Sequence, residues 1–291
     1  MTVAEALRAA LSTGKPAALV TIVEAYGSTP REAGAAMLVT PGAIAGTIGG
    51  GRLEFDAIER ARALLSSGED SAEMDVKLGP GIGQCCGGRV ILSIRRADPA
   101  LMARMSADEE AARRSFPAVL IFGAGHTGRA LAAALAPLPL DVRLIDSRPD
   151  MLKGLPQTVT AVAAALPEAE IEGAPPGAAY VVMTHAHSLD FMLAAAALER
   201  GDAAYVGMIG SATKRERFRR ELETGGRGAA IGRLTLPIGG AALRDKRPAV
   251  IAALAAAEIV TCLLSDQQEK LTARFAAAAP QCNSPPVRST G

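Results

Sequence analysis

Three kinds of residue in this chain could do chemistry: glycine-rich turns, a pair of adjacent cysteines and two closely spaced histidines. The glycines lie in the segments GTIGGGRLEF, GQCCGGRV and VLIFGAGHTGRALA, and the histidines lie in VVMTHAHSLD. Glycine-rich turns let backbone N–H groups approach an anion such as phosphate. A thiolate is a soft metal ligand or a sulfur acceptor. These residue types therefore favour the binding of an anion, beside a thiol whose role is open.

The paired cysteines, Cys85 and Cys86, are flanked by glycines on both sides. Adjacent cysteines do not easily bind one tetrahedral zinc ion, and a disulfide between them would be strained. The functional interpretation is a reactive thiolate near a surface, and the alternative is a buried cysteine beside an idle one. Four cysteines in a chain of 291 residues do not make a disulfide framework, so we expect a reducing cytoplasm.

The segment around Gly123 reads as an apolar strand, a G-x-G-x-x-G turn and a helix. Gly123 permits the tight turn, Gly125 lets a phosphate approach the backbone, and Gly128 lets the helix pack on the strand. Asp146 ends the next strand, where an acidic residue usually binds ribose hydroxyls. His126 either points into the cleft or caps the helix in water. The turn predicts a nucleotide-type phosphate site, or an inherited turn that is empty.

Two histidines and a carboxylate follow the fourth strand of the same region. His185 and His187 are two residues apart and face one way in an extended segment, and Asp190 follows them. The three could hold a divalent metal. We favour the alternative, in which the histidines line the crevice at the strand ends and Asp190 caps the next helix.

A second anion site is predicted after the fifth strand. Ser211 precedes a helix that has Lys214 and Arg215 in its first turn. The alternative is a serine cap with solvated basic residues on the helix surface.

The first half of the chain has its own glycine triplet, formed by Gly49, Gly50 and Gly51. The triplet separates a strand from a helix, as a phosphate-binding loop does. It lacks the Lys-Ser/Thr pair of an ATPase P-loop, and its glycines could serve close packing alone.

The pattern of elements predicts a smaller N-terminal α+β domain followed by a Rossmann-type, doubly wound α/β domain. In the first domain, short strands surround a hairpin at Pro41-Gly42, and a helix follows the glycine triplet. After residue 116, strands and helices alternate, which indicates a parallel sheet with helices on both faces. We place the domains at residues 1–114 and 115–280, with a loose tail at 281–291.

Composition excludes some function classes. Lys and Arg number 31 against 30 Asp and Glu, so no strong field favours nucleic acid or an anionic membrane. The N-terminus reads as a short amphipathic helix, not an export signal. The longest apolar stretch, residues 249–264, is short for a membrane span and predicts a packed helix.

The motifs together resemble a known family. The segments GSTPREAGAAMLV, GTIGGGRLEFDAI, GQCCGGRV, FGAGHTGRALA, LIDSRP, THAHSLD and VGMIGSATKRERF occur in that order. In these segments the chain is similar to the xanthine dehydrogenase accessory proteins, which are related to the carbon monoxide dehydrogenase maturation factors. The resemblance extends over residues 17–264, and its first-domain motifs are more specific than the Gly123 turn.

The resemblance implies a cytoplasmic cofactor chaperone with no turnover of its own. Such a protein binds molybdenum cofactor, protects it while a cysteine desulfurase adds the sulfido ligand, and delivers it to apo xanthine dehydrogenase (the molybdenum subunit) or a related molybdenum hydroxylase. A homodimer is also implied.

The resemblance and the sheet-end motifs together give a set of candidate cofactor residues. Those implied by the resemblance are Gly49, Gly50, Gly51, Gln84, Cys85, Cys86, Gly87 and Gly88. The second domain adds Gly123, Gly125, His126, Gly128, Asp146, His185 and Ser211. Cys86 matches the family's Cys-Gly-Gly better than Cys85 does, and it is the candidate metal ligand.

The sequence departs from the family's pattern at one loop, and two alternative functions are considered. The loop from Gly239 to Arg247 differs from the family's usual Asp-Ile-Gly segment, so any ligand contacts there are in doubt. The first rival is an NAD(P)-dependent oxidoreductase that uses the Gly123 turn and Asp146. The second is a metal-dependent hydrolase at His185, His187 and Asp190, which we rank last.

Overall fold

The computed structural model describes residues 2–79, 87–240 and 245–278, and only the backbone of residues 266–278. The chain divides into two compact units, Met1–Ala112 and Arg113–Gly291. The predicted tail at 281–291 lies outside the described residues, as do Gln84, Cys85 and Cys86.

The first unit is built on an antiparallel five-stranded sheet in the order β3-β2-β1-β5-β4. One face of α2 is buried on this sheet because its apolar residues recur at helical spacing, at Leu53, Ala57, Ala61 and Leu64. The hairpin predicted at Pro41-Gly42 is confirmed, since β2 and β3 pair in antiparallel register. The described elements are α1 Val3–Ser12, β1 Ala18–Tyr26, β2 Ala36–Val39, β3 Ile44–Gly46, α2 Gly51–Ser67, β4 Ser71–Lys77, β5 Arg89–Arg96 and α3 Pro99–Arg114.

The second unit is a parallel six-stranded sheet in the order β11-β10-β9-β6-β7-β8. This is the doubly wound arrangement, in which the strand order reverses between β6 and β9. The Rossmann-type prediction is therefore confirmed. The elements are β6 Ala118–Phe122, α4 His126–Leu135, β7 Asp141–Asp146, β8 Val159–Ala163, α5 Glu168–Glu172, β9 Ala179–Val182, α6 His187–Arg200, β10 Tyr205–Met208, α7 Ala212–Thr224, β11 Leu234–Thr235 and α8 Pro248–Ala278.

Apolar clusters cover both faces of the second sheet. On one face, α4 and α8 pack together, and Ala252, Ala255 and Ile259 of α8 are buried there. On the other face, α6 and α7 pack together, with Phe191 against Phe218 at a ring-centroid distance of 4.8 Å. The window Pro248–Ser265 of α8 is long and apolar enough to cross a membrane by composition, with a mean hydropathy of 2.0. One side of that window is part of the core of this unit.

Two short elements were not predicted from the sequence. Helix α5 has five residues, and strand β11 has two. Segments of this length hold too few residues to show a hydrophobic period, and their positions are set by neighbouring elements. Residues of α5 nevertheless contribute to the cavity described below.

The Gly123 turn brings backbone against backbone. A Cβ on Gly128 would overlap the carbonyl oxygen of Gly123, and a Cβ on Gly123 would lie 2.8 Å from the carbonyl carbon of Met183. Gly123 also has φ +110°, a conformation that residues with a side chain rarely adopt. The first and third glycines are therefore needed for the packing of β6, α4 and the segment after β9.

We expect the substitution Gly128→Ala to destabilise the second unit. The new methyl group would have to move the Gly123 carbonyl, and overpacking of this kind costs about 3 kcal/mol. The melting temperature followed by circular dichroism should fall by roughly 6 °C or more. Gly125→Ala is the matched control, because a Cβ there meets nothing within 4 Å. Equal melting temperatures for the two variants would contradict this account of the turn.

Candidate functional site

In the first unit, two of the predicted binding segments pack against one loop, residues 26–31. A Cβ on Gly88 would lie 2.6 Å from the carbonyl oxygen of Ser28, and a Cβ on Gly49 would lie 2.6 Å from Cγ of Pro30. The N–H of Leu78 donates to the carbonyl of Gly88 at 2.8 Å, which closes the connection between β4 and β5. The structure therefore places Gly49 of the triplet and Gly88 of the Gly87-Gly88 pair against the same loop.

Two backbone N–H groups of the glycine triplet, those of Gly49 and Gly50, have protein partners. The N–H groups of Ile48 and Gly50 donate to Oε2 of Glu54, at 3.2 and 3.0 Å. The Thr47 hydroxyl donates to the same oxygen at 2.6 Å and accepts from the N–H of Gly49 at 3.1 Å. Glu54, which the sequence analysis did not single out, thus supplies the negative charge at the start of α2. Phosphate binding at the triplet stays a prediction, and a phosphate would have to displace this carboxylate.

Two of these glycines have room for a side chain within the described part of the chain. Among the described residues, and apart from the sequence neighbours, a Cβ on Gly50 or on Gly87 would meet no atom within 4 Å. Whether Gln84, Cys85 and Cys86 contribute to that space lies outside the described residues.

In the second unit, Asp146 is held at the glycine turn by three groups. Its Oδ2 accepts from the N–H of Ala124 at 2.8 Å, and Arg148 binds both carboxylate oxygens at 2.9 Å. The Arg148 N–H donates to Oδ1 at 3.0 Å. These hydrogen bonds, chiefly those from the guanidinium, outweigh the opposing effect of burial and lower the pKa of Asp146 to about 2. The predicted ribose acceptor is thus a fixed, ionised group, with Arg148 between it and part of the solvent.

The start of α4 can accept an anion. The helix begins at the exposed His126, its N-cap is Gly125, and no side chain caps it. The first N–H groups of such a helix, together with the helix dipole, attract negative charge.

A cavity of about 200 Å³, here called the sheet-end crevice, opens at the carboxyl ends of β6, β7 and β9. It contains three of the predicted site residues, Gly123, Asp146 and His185. It lies where the strand order reverses, which is where ligands bind in open α/β sheets. Its remaining lining residues are Phe122, Ile145, Ser147, Ala165, Leu166, Pro167, Glu168, Thr184, Leu189, Met192 and Leu193.

Sequence reasoning missed the α5 side of this crevice. Leu166 and Glu168 belong to a segment without periodicity, and no motif marks them. Met192 lies on α6 with an exposed side chain, which an apolar stripe alone does not distinguish from a core residue.

Beside the crevice, a second cavity of about 340 Å³ is lined by His185, His187, Ser211 and the buried pair of Asp190 and Lys214. The Nζ of Lys214 lies 2.5 Å from Oδ2 of Asp190 and donates to the carbonyl of Ile209 at 2.9 Å. The other oxygen of Asp190 accepts from the N–H and hydroxyl of Thr184, at 2.8 and 2.7 Å. The pair therefore ties the segments that follow β9 and β10 to α6 and α7.

This bonding corrects two sequence interpretations. Asp190 does not cap α6, whose N-cap is Ala186; it lies inside the helix and binds Thr184. Lys214 is not a solvated surface residue, since its side chain is only 10% exposed. Arg215 likewise donates to the carbonyls of Leu234 and Leu236. The predicted serine cap is present, because Ser211 accepts from the N–H of Lys214.

The same bonding leaves the metal alternative without support in the part of the chain that the structure describes. No group of three His, Cys, Asp or Glu residues there could hold a metal ion. Both oxygens of Asp190 already have partners, as described above. His185 and His187 line the cavity, as the favoured interpretation had it.

Each of the two units matches a known protein family. Residues 10–75 match the family described as "XdhC and CoxI family", and residues 119–259 match "XdhC Rossmann domain". The chain is 28% identical over 232 residues to the uncharacterised protein YqeB of Escherichia coli K12. That match covers 77% of this chain but only 39% of YqeB, so the chain spans about two fifths of that relative.

A solved structure shows the same fold over nearly the whole chain. It is described as a xanthine dehydrogenase from Bacillus halodurans and is 19% identical to this chain. The match has a TM-score of 0.69 and covers 96% of this chain and 98% of that one.

Lowering the pH should test the hydrogen bonds of Asp146. Its pKa is about 2 in the folded protein against an ordinary 3.8, so its contribution to stability is complete above about pH 4 and is lost as the pH falls through 2. Between about pH 6 and pH 3, the wild type should lose about 1 kcal/mol more unfolding free energy than Asp146→Asn, as measured by urea denaturation. Asp150→Asn, which removes an exposed ion pair with Lys153, should behave like the wild type. Parallel pH curves for wild type and Asp146→Asn would refute the assignment.

Removing one partner of the buried ion pair should be costly. Lys214→Met leaves Asp190 as an unpaired charge that is 1% exposed, which should cost about 3–5 kcal/mol of unfolding free energy. Adding Asp190→Asn should recover part of this loss, because the second change removes the stranded charge. Lys153→Met, at an exposed pair, should cost less than about 1 kcal/mol. A loss at Lys214 no larger than at Lys153 would contradict the structural role given to the pair.

Proposed function

The chain belongs to the XdhC and CoxI family, and from this premise we propose that it is a molybdenum-cofactor chaperone. It binds the cofactor as cargo, protects it while a cysteine desulfurase supplies the terminal sulfur, and delivers it to apo xanthine dehydrogenase or a related molybdenum hydroxylase. The proposal includes a cytoplasmic homodimer without turnover of its own.

The convergence of segments on the loop of residues 26–31 carries this proposal. Gly49 and Gly88 both pack on that loop, and Cys86 directly precedes the Gly87-Gly88 pair in the sequence. The sequence thus leads from Cys86 directly into a glycine pair that packs on the same loop as Gly49 of the triplet. A site of this kind combines a soft sulfur ligand with close backbone approach.

The chemistry of the cargo fits these groups. Molybdenum cofactor is an anionic pterin dithiolene with a phosphate, soft at sulfur and at molybdenum. A cysteine thiolate suits such a metal, and Cys86 is the residue we assign to it. An alternative role for the same thiolate is to accept the sulfur atom during transfer.

The Gly123 turn and the sheet-end crevice also favour the second candidate, an NAD(P)-dependent oxidoreductase. The engagement of both Asp146 oxygens by Arg148 counts against it, because a ribose would have to compete with that guanidinium. Titration with NADH followed by its fluorescence distinguishes the two functions. Tight binding of NADH with turnover of a small alcohol or aldehyde would favour the oxidoreductase over the cofactor chaperone.

Delivery can be tested directly with the cargo. Protein loaded with molybdenum cofactor under anoxia is mixed with apo xanthine dehydrogenase, and the appearance of xanthine oxidation is followed. We expect activation that depends on the loaded chain and that exceeds activation by the same amount of free cofactor. Activation no greater than with free cofactor would overturn the chaperone role.

The thiol assignment predicts a difference between two cysteine variants. Cys86→Ala should lose most of its retained molybdenum on gel filtration under anoxia, because it lacks the soft ligand. Cys262→Ala is the control, since Cys262 is exposed on α8 in the other unit. The measurement is molybdenum per protein by mass spectrometry after filtration. Equal retention by both variants would remove Cys86 from the site.

A further inference from the structure

Glu168, which lines the sheet-end crevice, has one buried carboxylate oxygen that lacks a hydrogen-bond donor among the described residues. Oε2 of Glu168 is shielded from solvent and has no partner among the described residues. A buried acceptor without a donor destabilises the folded protein, so a ligand that supplies the donor is favoured. Because Glu168 lines the crevice, a turn of its side chain presents the carboxylate to a donor bound in that cavity. The terminal torsion of a glutamate is broad, so both oxygens of the carboxylate can turn toward such a donor.

Apolar side chains lie exposed around the same cavity. Leu166 is 68% exposed and Met192 is 46% exposed, and both line the crevice. In the described part of the second unit, these two are the large apolar side chains that stand out for their exposure. Exposed apolar groups gathered at a cavity mark a ligand or partner surface, and a flat aromatic ring would cover them.

The size of the crevice suits one ring system. Its volume is about 200 Å³, below the roughly 300–1,000 Å³ of pockets that enclose a whole drug-sized ligand. Gly123 lines the crevice and belongs to the turn that leads into the uncapped start of α4. A ring in the crevice can therefore carry a phosphate that extends along the turn to the helix start.

From these contacts we propose that the sheet-end crevice binds a phosphorylated ligand through a flat 2-amino-4-oxopyrimidine ring, as in a pterin or a guanine. An ionised carboxylate only accepts hydrogen bonds. The pterin and guanine edges offer a ring N–H and an adjacent amino group, so they can satisfy both oxygens of Glu168. Adenine offers one amino group, and the ring nitrogen next to it is an acceptor. That nitrogen would repel the second oxygen of Glu168, which is also an acceptor.

The pterin form of this ligand rests on the proposed function, because the proposed cargo is a pterin compound. The guanine form, in which the ligand is a nucleotide, does not. In both forms, Glu168 recognises the donor edge of the ring. Leu166 and Met192 cover the apolar face of the ring.

Calorimetric titration of the full chain with three stable probes tests the proposal. The probes are neopterin monophosphate, guanosine monophosphate and adenosine monophosphate. We expect binding of at least one of the first two, and binding at least about tenfold weaker for adenosine monophosphate, since a mismatched donor leaves a charged acceptor unpaired. Tighter binding of neopterin monophosphate identifies a pterin ligand, and tighter binding of guanosine monophosphate identifies a nucleotide.

Two variants of α5 show whether Glu168 is responsible. Glu168→Gln should weaken binding of the preferred probe by about tenfold or more and reduce the protein's preference for that probe over adenosine monophosphate. The melting temperature should not fall. Glu172→Gln, exposed on the same helix, should bind like the wild type. Binding of none of the probes, equal binding of adenosine monophosphate, or no effect of Glu168→Gln would overturn the proposal.

The outcome separates this proposal from the proposed function. If the wild type binds molybdenum cofactor but no probe, the crevice assignment fails while the chaperone role stands. If a probe binds through Glu168 while the protein takes up no molybdenum cofactor, the chaperone role fails and the crevice assignment stands.

Discussion

Backbone lies directly against backbone where this chain gathers its candidate binding groups. At Gly128, only a hydrogen atom fits beside the carbonyl of Gly123, and Gly123 itself lies against the backbone that follows β9. That close approach joins β6, α4 and β9, and it therefore creates the edge at which the sheet-end crevice opens. In the first unit, a Cβ on Gly88 would likewise lie against backbone carbonyls of the 26–31 loop. Each candidate site thus depends on positions that can carry no side chain.

Buried carboxylates hold in place the strand-end segments that the glycines bring together. Asp146 is ionised and bonded to Ala124 and Arg148, while Asp190 and Lys214 hold the segments after β9 and β10. In both cases a buried carboxylate accepts from the backbone beside a strand end, which fixes the position of that carboxylate. Glu168 differs, because its buried oxygen has no such donor in the part of the chain that the structure describes. The contrast is the reason to assign Glu168 to a ligand and the other two carboxylates to the framework.

Elements with a long or repetitive sequence pattern could be predicted from the sequence alone. The alternation of apolar strands and helices after residue 116 and the spacing of Gly123, Gly125 and Gly128 predicted the Rossmann-type unit, and the strand order confirms it. Short elements such as α5 could not be predicted, because five residues show no period. Contacts between distant residues were also missed. The bond between Lys214 and Asp190 joins residues on two helices. A local contact was missed as well, because Glu54 accepts the N–H groups of Ile48 and Gly50. Sequence spacing gives no measure of either geometry.

The central claim is that this chain carries molybdenum cofactor. The direct measurement is to isolate the full chain under anoxia from cells that make the cofactor, and to determine molybdenum by mass spectrometry and the pterin by the fluorescence of its oxidised form. The account predicts near-stoichiometric molybdenum and pterin that elute together with the protein. A protein that contains neither, and that takes up no added molybdenum cofactor, would contradict it.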